Sequence, residues 1–156
     1  MSWSLQITHG DFRVESAHLG TVTQQAKLVQ DFRCALLEQM GTDNLHPDFG
    51  SLIDGGTTPE GVTSDGVIGE TDLSLVGLLI ETEINRIARY IQRAQLARAK
   101  SDKLTYGKAT LTPQEVLLQL NGIEMTQLED VIKVKIGLIS ASNNNFDIEL
   151  AVNTNP

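Results

Sequence analysis

Aromatic residues are scarce in this chain, and its sequence holds a single cysteine. Aromatics make up 4% of the 156 residues against 40% for all hydrophobic residues, so the core must be built from aliphatic side chains. A chain of this length can bury a sufficient core in one domain without disulfides or metal ions. Cys34 cannot form an internal disulfide, and it lies in an apolar helical pattern, which predicts a buried thiol rather than a nucleophile.

Long apolar runs are also absent. No stretch approaches the roughly 20 apolar residues that a membrane-spanning helix needs. The first residues, MSWS, lead directly into an alternating polar segment rather than into an apolar leader. We therefore expect a soluble protein that is made in the cytoplasm and has no membrane partner.

Positive charge is in the minority, since 12 Lys and Arg against 20 Asp and Glu give a net charge of −8. This balance disfavours nucleic acid as a partner, because such binding depends on cations that neutralise phosphates. A cationic stretch is nevertheless present, and it fits favourable charge at a helix C-terminus, an interface with an acidic protein or, least well for lack of aromatics, nucleic acid contact. Its seven cations are Arg86, Arg89, Arg93, Arg98, Lys100, Lys103 and Lys108.

Two segments carry the three- and four-residue apolar spacing of helices. The first helix is predicted over residues 23–40, with Gly41 as its C-terminal stop. The second is predicted from residue 71 or 72 to about residue 100, a length of about 43 Å at 1.5 Å per residue. Because a small domain cannot bury such a helix throughout, we expect its C-terminal half to project toward a neighbour. Its predicted buried stripe is Leu73, Val76, Ile80, Ile84, Ile87, Ile91 and Ala94.

The remaining segments complete a single α+β domain over residues 1–156. Residues 1–20 are predicted as an extended arm. Residues 51–71 contain five glycines and are predicted as a glycine-rich loop. A structureless stretch of this length is unusual inside a compact domain, so both a functional loop and a plain connection stay open for it.

The last third of the chain predicts a three-stranded antiparallel meander over residues 116–125, 131–140 and 146–152, because apolar and polar residues alternate there. A short helical start at residues 112–115 is the alternative for the first strand. The predicted fold is therefore two main helices, one of them long, packed on a small antiparallel sheet that ends in this meander.

Residues 45–51, LHPDFGS, predict a compact junction between elements. Pro47 holds the residue before it extended. Asp48 can accept backbone hydrogen bonds as in other Asx turns. Phe49 is a candidate core anchor, and Gly50 permits a positive φ angle before the chain turns away.

The order of these features resembles the gene-product-25-like baseplate wedge proteins, also called tail sheath initiators, of contractile phage tails and related injection machines. That family carries a helix, a glycine ahead of a Pro-Asp-Phe/Tyr-Gly stretch, a second helix and a small sheet. The resemblance extends over about residues 25–152. It departs from the family at residues 112–115, TPQE, where a Glu-Pro-Arg triplet that docks onto neighbouring wedge proteins is usual. The matching residues are Gly41, Pro47, Asp48, Phe49, Gly50 and Ser51.

The resemblance implies a structural, non-enzymatic role in the tail baseplate of a virion. It implies a sheet that templates the first ring of tail sheath subunits by strand addition, and docking to other baseplate wedge or hub proteins in a ring of several copies. No cofactor and no metal are expected. The predicted partner-binding residues are Arg86, Arg89, Arg93 and Arg98 on the second helix and Val134, Ile136, Ile148 and Leu150 on the strands.

Two other functions stay open. Some members of the family have been described as tail lysozymes, and glycoside hydrolysis requires two carboxylates held across a cleft. Glu38 and Asp48 flank the motif without any pattern that brings them together, and the acids of the chain are scattered over turns, helix starts and exposed strand faces. A metal site at His46 and Asp48 is disfavoured because no metal-ligand spacing accompanies them. An adaptor subunit of a non-contractile tail would share the fold and never bind a sheath.

Overall fold

The computed structural model describes residues 3–8, 11–15, 18–67, 70, 72–129 and 131–153. These residues form the predicted α+β fold, with two helices and several small sheets. In this part of the chain, no helix is long and apolar enough to cross a membrane.

The N-terminal segment, predicted as an extended arm, folds into three short antiparallel strand pairs. A closed triangle of backbone hydrogen bonds joins them, because Gln6 donates to Gly20, Gly20 to Arg13 and Arg13 to Gln6, at 2.7 to 2.9 Å. The side chain of Gln30, on the first helix, holds this unit through two hydrogen bonds, because it accepts from Ile7 N at 2.9 Å and donates to Leu5 O at 2.8 Å. The paired strands are β1 (Trp3–Leu5) with β6 (Thr21–Thr23), β2 (Ile7–Thr8) with β3 (Asp11–Phe12), and β4 (Val14–Glu15) with β5 (His18–Leu19).

Helix α1 (Gln24–Leu37) ends before the predicted residue 40. The prediction that Gly41 stops it was wrong, because Glu38 is already extended and the chain continues into strand β7 (Gln39–Met40). Gly41 instead allows a close contact between two strands. Its φ angle is +85°, and a Cβ atom there would lie 2.6 Å from a backbone oxygen of the neighbouring strand. Pairing of β7 with that strand, rather than helix capping, requires the glycine.

The predicted glycine-rich loop contains strand β8 (Ser51–Thr57), so its assignment as structureless was wrong. Strand β8 pairs with β7 in parallel and with β9 (Thr63–Ser64) in antiparallel orientation. Gly56 has a φ angle of +136°, and a Cβ atom on it would lie 2.6 Å from the Met40 carbonyl oxygen. The glycines therefore allow the backbones of paired strands to approach closely inside a small sheet. Composition alone cannot distinguish glycines with this role from glycines in a flexible loop.

Helix α2 (Leu73–Tyr106) is longer than predicted. Asp72 caps its start by accepting a hydrogen bond of 2.9 Å from Ser74 N, and Gly107, in the left-handed region with φ 72°, ends it. The predicted stripe is buried from Val76 to Ile91, whereas Leu73 and Ala94 are exposed. Beyond Ile91 most side chains are exposed, although Gln95 contacts the start of β10 and Asp102 is buried beside Thr110.

The C-terminal meander is confirmed as one sheet in the order β10-β11-β12. Residues 112–115 form a turn, in which Glu115 N donates to Thr112 O at 2.9 Å, so the short helical start is limited to that turn. Bulges interrupt the register near the beginning of the first strand. The strands are β10 (Leu117–Leu128), β11 (Val131–Ser140) and β12 (Asn145–Asn153).

Both helices lie on one face of this sheet. Gln92 on α2 donates to Leu118 O of β10 at 2.7 Å, and Arg33 on α1 reaches Glu149 O of β12 at 3.5 Å. Alternate β11 side chains enter the core between them, each contributing about 1.5–3 kcal/mol through burial. These buried side chains are Ile132, Val134, Ile136 and Leu138.

The buried carboxylate of Glu115 ties the start of α1 to the turn before β10. It is 2% exposed and accepts hydrogen bonds from Thr112 N at 2.7 Å, from Thr112 Oγ1 at 3.0 Å and from Gln24 N at 3.3 Å. A carboxylate at a helix N-terminus is favoured by the helix dipole. Residues 112–115 therefore form an internal junction between the start of α1 and β10.

Candidate interaction site

The motif segment, residues 45–51, consists of consecutive turns. His46 N donates to Asp43 O at 3.2 Å, and Phe49 N donates to His46 O at 2.9 Å. Asp43, rather than the predicted Asp48, is the Asx residue, because its carboxylate accepts from Leu45 N at 2.8 Å. The imidazole of His46 lies 2.8 Å from the same carboxylate, and this hydrogen bond is the main reason that the pKa of Asp43 is lowered.

A buried ion pair on α2 holds the motif segment in place. Glu83, 5% exposed, accepts hydrogen bonds from Leu52 N at 2.8 Å and from the Arg86 guanidinium at 3.0 to 3.2 Å. Arg86 also donates to the backbone oxygens of Asp48, at 3.1 Å, and of Gly50. The guanidinium can serve these acceptors together because its donors form a planar fork and Glu83 balances its charge. Arg86 therefore has a structural role that the sequence did not indicate, and 30% of its side chain stays exposed.

Ser51 and Gly50 complete this junction from the α1 side. Ser51, 1% exposed, donates from its hydroxyl to Leu36 O at 2.6 Å and from its backbone to Glu38 O at 2.7 Å. Gly50 adopts the predicted positive φ angle, +95°, and a Cβ atom there would lie 2.8 Å from Glu38 O. Only glycine allows this approach without displacing the end of α1.

Phe49 anchors the segment to α2 as predicted. Its ring packs against the core and against Tyr90, with ring centroids 5.8 Å apart and planes tilted by 56°. Partial burial, with the nearby carboxylates of Asp48 and Asp43, raises the pKa of the Tyr90 hydroxyl. The motif residues thus form a packed junction between the end of α1, the start of β8 and α2.

The remaining predicted arginines lie along the exposed side of α2. Arg89 and Arg93 border an open groove of about 800 Å³ between α2 and the β8–β9 turn, together with Glu60 and Leu78. Neither arginine forms an ion pair with a residue that the structure describes. Arg98 lies 3.9 Å from the Asp102 carboxylate and keeps 45% of its side chain exposed. These three guanidinium groups are accessible to a partner.

The sheet places the four predicted strand residues differently. Val134 and Ile136 lie on β11, the middle strand, whose two edges are already paired, so they cannot receive a partner strand. Ile148 and Leu150 lie on the edge strand β12, but Ile148 is fully buried and Leu150 half-buried against the core. The predicted assignment of the first two to a partner is therefore corrected. The backbone of β12, rather than its apolar side chains, is what remains exposed at that edge.

The outer edge of β12 directs regular backbone groups away from the sheet. Ser140 N donates to Asn144 O at 3.1 Å, and hydrogen-bonded pairs alternate along an antiparallel ladder. Since Ser140 and Asn144 form a hydrogen-bonded pair, the N–H and C=O groups of Asp147, Glu149 and Ala151 point away from β11, toward the outer edge of the sheet. Of these, the Glu149 carbonyl is approached by the Arg33 side chain.

The outer face of the sheet carries paired charge. The ammonium group of Lys135 lies 3.1 Å from the Asp147 carboxylate, and this hydrogen bond is the first cause of a raised pKa for Lys135. Glu149 and Glu124 lie directly opposite Lys135 in the register. The lysine face of β11 thus meets the acidic face of its neighbours, as the alternation of the sequence indicates.

The two acids that flank the motif lie on different surfaces. Asp48 borders the groove beside α2, whereas Glu38 borders a second groove, of about 880 Å³, along α1. Within the described ranges, no group of three or more His, Cys, Asp or Glu side chains could hold a metal ion. Burial, with the negative charges of Asp31 and Glu38, raises the pKa of the Cys34 thiol.

Sequence reasoning missed three structural residues, namely Glu83, Glu115 and Asp43. A single charged residue inside an apolar stripe was the available signal for Glu83, since it lies beside Ile84 and one turn from Ile80 and Ile87.

Comparison with protein-family models, with curated proteins and with solved structures found no match for this chain.

Proposed function

We propose that this chain is a structural subunit of a phage-type tail baseplate that acts as a sheath initiator. In this role it occupies the virion in several copies and gives the first ring of sheath subunits a β-strand on which to pair. The observation that carries the proposal is the regular outer edge of β12, with outward backbone groups at Asp147, Glu149 and Ala151. Strand addition uses such main-chain groups for affinity and neighbouring side chains for register.

The two edges of the sheet differ in their suitability for a partner strand. Strand β10 has register irregularities between Leu117 and Gln119 and between Leu120 and Gly122. Bulges of this kind bend an edge strand and discourage further pairing. Strand β12 pairs over its whole length without irregularity and contains neither proline nor lysine. We therefore assign the template role to β12.

The rigid support of the sheet also favours a template. Helices α1 and α2 cover its inner face, and the clamp of Glu83 and Arg86 holds the motif segment against α2. A partner strand that meets a preformed edge loses less conformational entropy than one that must order the edge as well. Exposed Arg89, Arg93 and Arg98 provide a separate surface for acidic baseplate neighbours.

The first experiment asks where the protein is found. Tail particles produced from the genome that encodes this chain are purified, and their subunits are located by electron cryomicroscopy. The chain is expected in a ring at the baseplate, with a sheath strand against residues 145–153. Its absence from the particle, or its presence in a tail that has no sheath, would overturn the assignment as sheath initiator.

A proline on the outward edge tests the template directly. Ala151→Pro removes an N–H group that faces away from β11, so the meander keeps its own hydrogen bonds while a partner strand loses one and meets the proline ring. We expect sheath tubes to nucleate at least about tenfold less often than with the wild-type chain, as counted by negative-stain electron microscopy of the co-expressed proteins. Ala151→Ser is the matched control and should nucleate normally. Normal nucleation by a folded Ala151→Pro chain would contradict the template role of β12.

A further inference from the structure

Charge is divided along this chain more sharply than its net value indicates. Residues 38–72, named here the acidic unit, contain eight Asp and Glu and no Lys or Arg. Residues 96–108, named here the basic arm, contain four Lys and Arg and one Asp. Opposite charges that are concentrated in two separate segments create a field with a direction.

The fold keeps these two segments apart. The acidic unit contains strands β7, β8 and β9 and contacts α2 at Arg86, whose guanidinium binds Asp48 O and Gly50 O. Lys100, in the basic arm, lies 14 residues farther along the same helix, at about 21 Å. That distance exceeds the screening length of about 8 Å at physiological ionic strength. Lys100 therefore lies well beyond the screening length from the point at which Arg86 binds the acidic unit.

The basic arm has an exposed face with apolar and cationic side chains. Leu96 is 58% exposed and Leu104 is 89% exposed, and Lys100 lies between them at four-residue spacing on the same side of the helix. Asp102 is engaged by the segment that follows the arm, because Thr110 donates to it from both its backbone, at 3.2 Å, and its hydroxyl. The arm therefore presents net positive charge beside the exposed side chains of Leu96, Lys100 and Leu104.

The acidic unit offers the complementary surface. Asp54, Glu60 and Asp65 are exposed, and none of them forms an ion pair with any residue in the described ranges. Asp54 and Asp65 border the same shallow concavity of about 470 Å³, which Gly55 and Gly56 also line. Among the residues that the structure describes, no Lys or Arg borders this concavity.

We propose that the basic arm of one copy docks on the acidic unit of a second copy. Both halves of the contact belong to the same chain, so every copy can donate one arm and accept another. Such a head-to-tail contact between unlike surfaces closes into a ring when the rotation between copies permits. The inference deepens the proposed baseplate role and rests on it for the presence of many copies in one particle. The contact itself can be measured on the isolated protein.

Sedimentation velocity of the purified full chain provides the test. At an ionic strength of about 20 mM we expect species heavier than the monomer whose fraction increases with protein concentration, and at about 0.5 M salt we expect monomer, because salt screens exposed charge. Protein that is monomeric at every salt and protein concentration would overturn the proposal. So would association that salt leaves unchanged.

Matched charge reversals locate the contact. Lys100→Glu should weaken self-association by at least about tenfold, whereas Lys133→Glu, which changes the net charge equally on the exposed sheet face, should leave it near the wild-type value. The double variant Asp54→Asn with Asp65→Asn should also weaken it, and mixing this protein with the Lys100→Glu protein should give dimers but no longer chains, because only one arm and one acidic surface in each pair stay complementary. Circular dichroism verifies that each variant is folded.

Equal weakening by Lys100→Glu and Lys133→Glu would show a general charge effect and overturn the docking contact. The two proposals also fail in different ways. A chain that nucleates sheath at β12 but stays monomeric at low salt would contradict this contact and leave the template role intact. A chain that self-associates through the arm but is absent from tails would do the opposite.

Discussion

At the scale of single residues, the strongest constraint is the buried carboxylate of Glu83. It accepts a hydrogen bond from the N–H group of Leu52 and balances the positive charge of Arg86, whose guanidinium in turn binds the backbone of the motif segment. Removing one partner of a buried ion pair leaves the other charge without compensation. The clamp therefore links the end of the motif to α2 in a way that a neutral side chain cannot replace.

Glu83→Gln is expected to lower the free energy of unfolding by about 2–4 kcal/mol, because the Arg86 charge then lies against neutral acceptors only. Urea denaturation followed by circular dichroism measures the change. Glu81→Gln, two residues away on the exposed side of α2, is the control and should stay within about 0.5 kcal/mol of the wild-type value. Equal midpoints for both variants would refute the importance of the clamp.

The Asp102 carboxylate allows a pH-dependent prediction. The hydrogen bond from the Thr110 hydroxyl is the first cause of its lowered pKa, followed in the same direction by the Thr110 backbone and Arg98. A pKa that is lower in the folded than in the unfolded state adds stability above the unfolded value, and this stability is lost as the pH falls through the folded value.

Thr110→Val removes the hydroxyl donor, so the pKa of Asp102 should move back toward its ordinary value. The variant is expected to be less stable than the wild-type chain at neutral pH, and the difference should shrink as the pH falls below the ordinary range of Asp. Thermal unfolding at several pH values measures the difference, and carboxyl NMR shifts report the pKa itself. A difference that stays constant down to acidic pH would show that the variant acts through packing and not through Asp102.

At the scale of elements, α2 combines a core helix and a projecting helix in one continuous segment. Its apolar stripe is buried from Val76 to Ile91, whereas later apolar residues such as Leu96 and Leu104 are exposed. The periodicity of the sequence continues across this boundary. Burial of apolar side chains on α2 ends near the point at which Gln95 contacts Glu115 O and Leu117 N, at the beginning of β10.

Ile84→Ala should therefore destabilise the fold by about 2–5 kcal/mol, because it opens a cavity at a fully buried position. Leu96→Ala removes a side chain that is 58% exposed and should change stability by no more than about 0.5 kcal/mol. Chemical denaturation of both variants compares the two halves of the helix. Similar large losses would indicate that the projecting half is packed in the free protein.

The elements also differ in how far they could be predicted. Patterns of apolar and polar residues predict an element well when one of its faces is buried. They predicted strands β11 and β12 and the core half of α2 closely. Strand β8 was missed because Gly55 and Gly56 stand in it, and glycines permit close strand approach as readily as a flexible loop. The end of α1 was placed too late because pairing of Gln39 and Met40 with β8 competes with helix.

At the scale of the whole molecule, the two helices form one layer and the terminal sheet forms the other. The helices cover the inner face of the terminal sheet, while its outer face and the edge of β12 stay exposed. The acidic unit and the basic arm lie at different positions along α2, the same helix that supports the sheet. A single rigid element thus fixes the spacing between the proposed template edge, the proposed arm and the surface that the arm would bind.

The sequence by itself determined the aliphatic core, the two helices, the alternation of the last strands and the separation of charge, because each depends on local pattern or composition. The tertiary structure alone decided that Arg86 serves the fold, that Val134 and Ile136 lie in a middle strand, and that β12 rather than β10 has the regular edge. The physical reason is the same in each case. Whether a charge or a strand edge is free depends on partners that lie far away in the chain, and only folding brings those partners together.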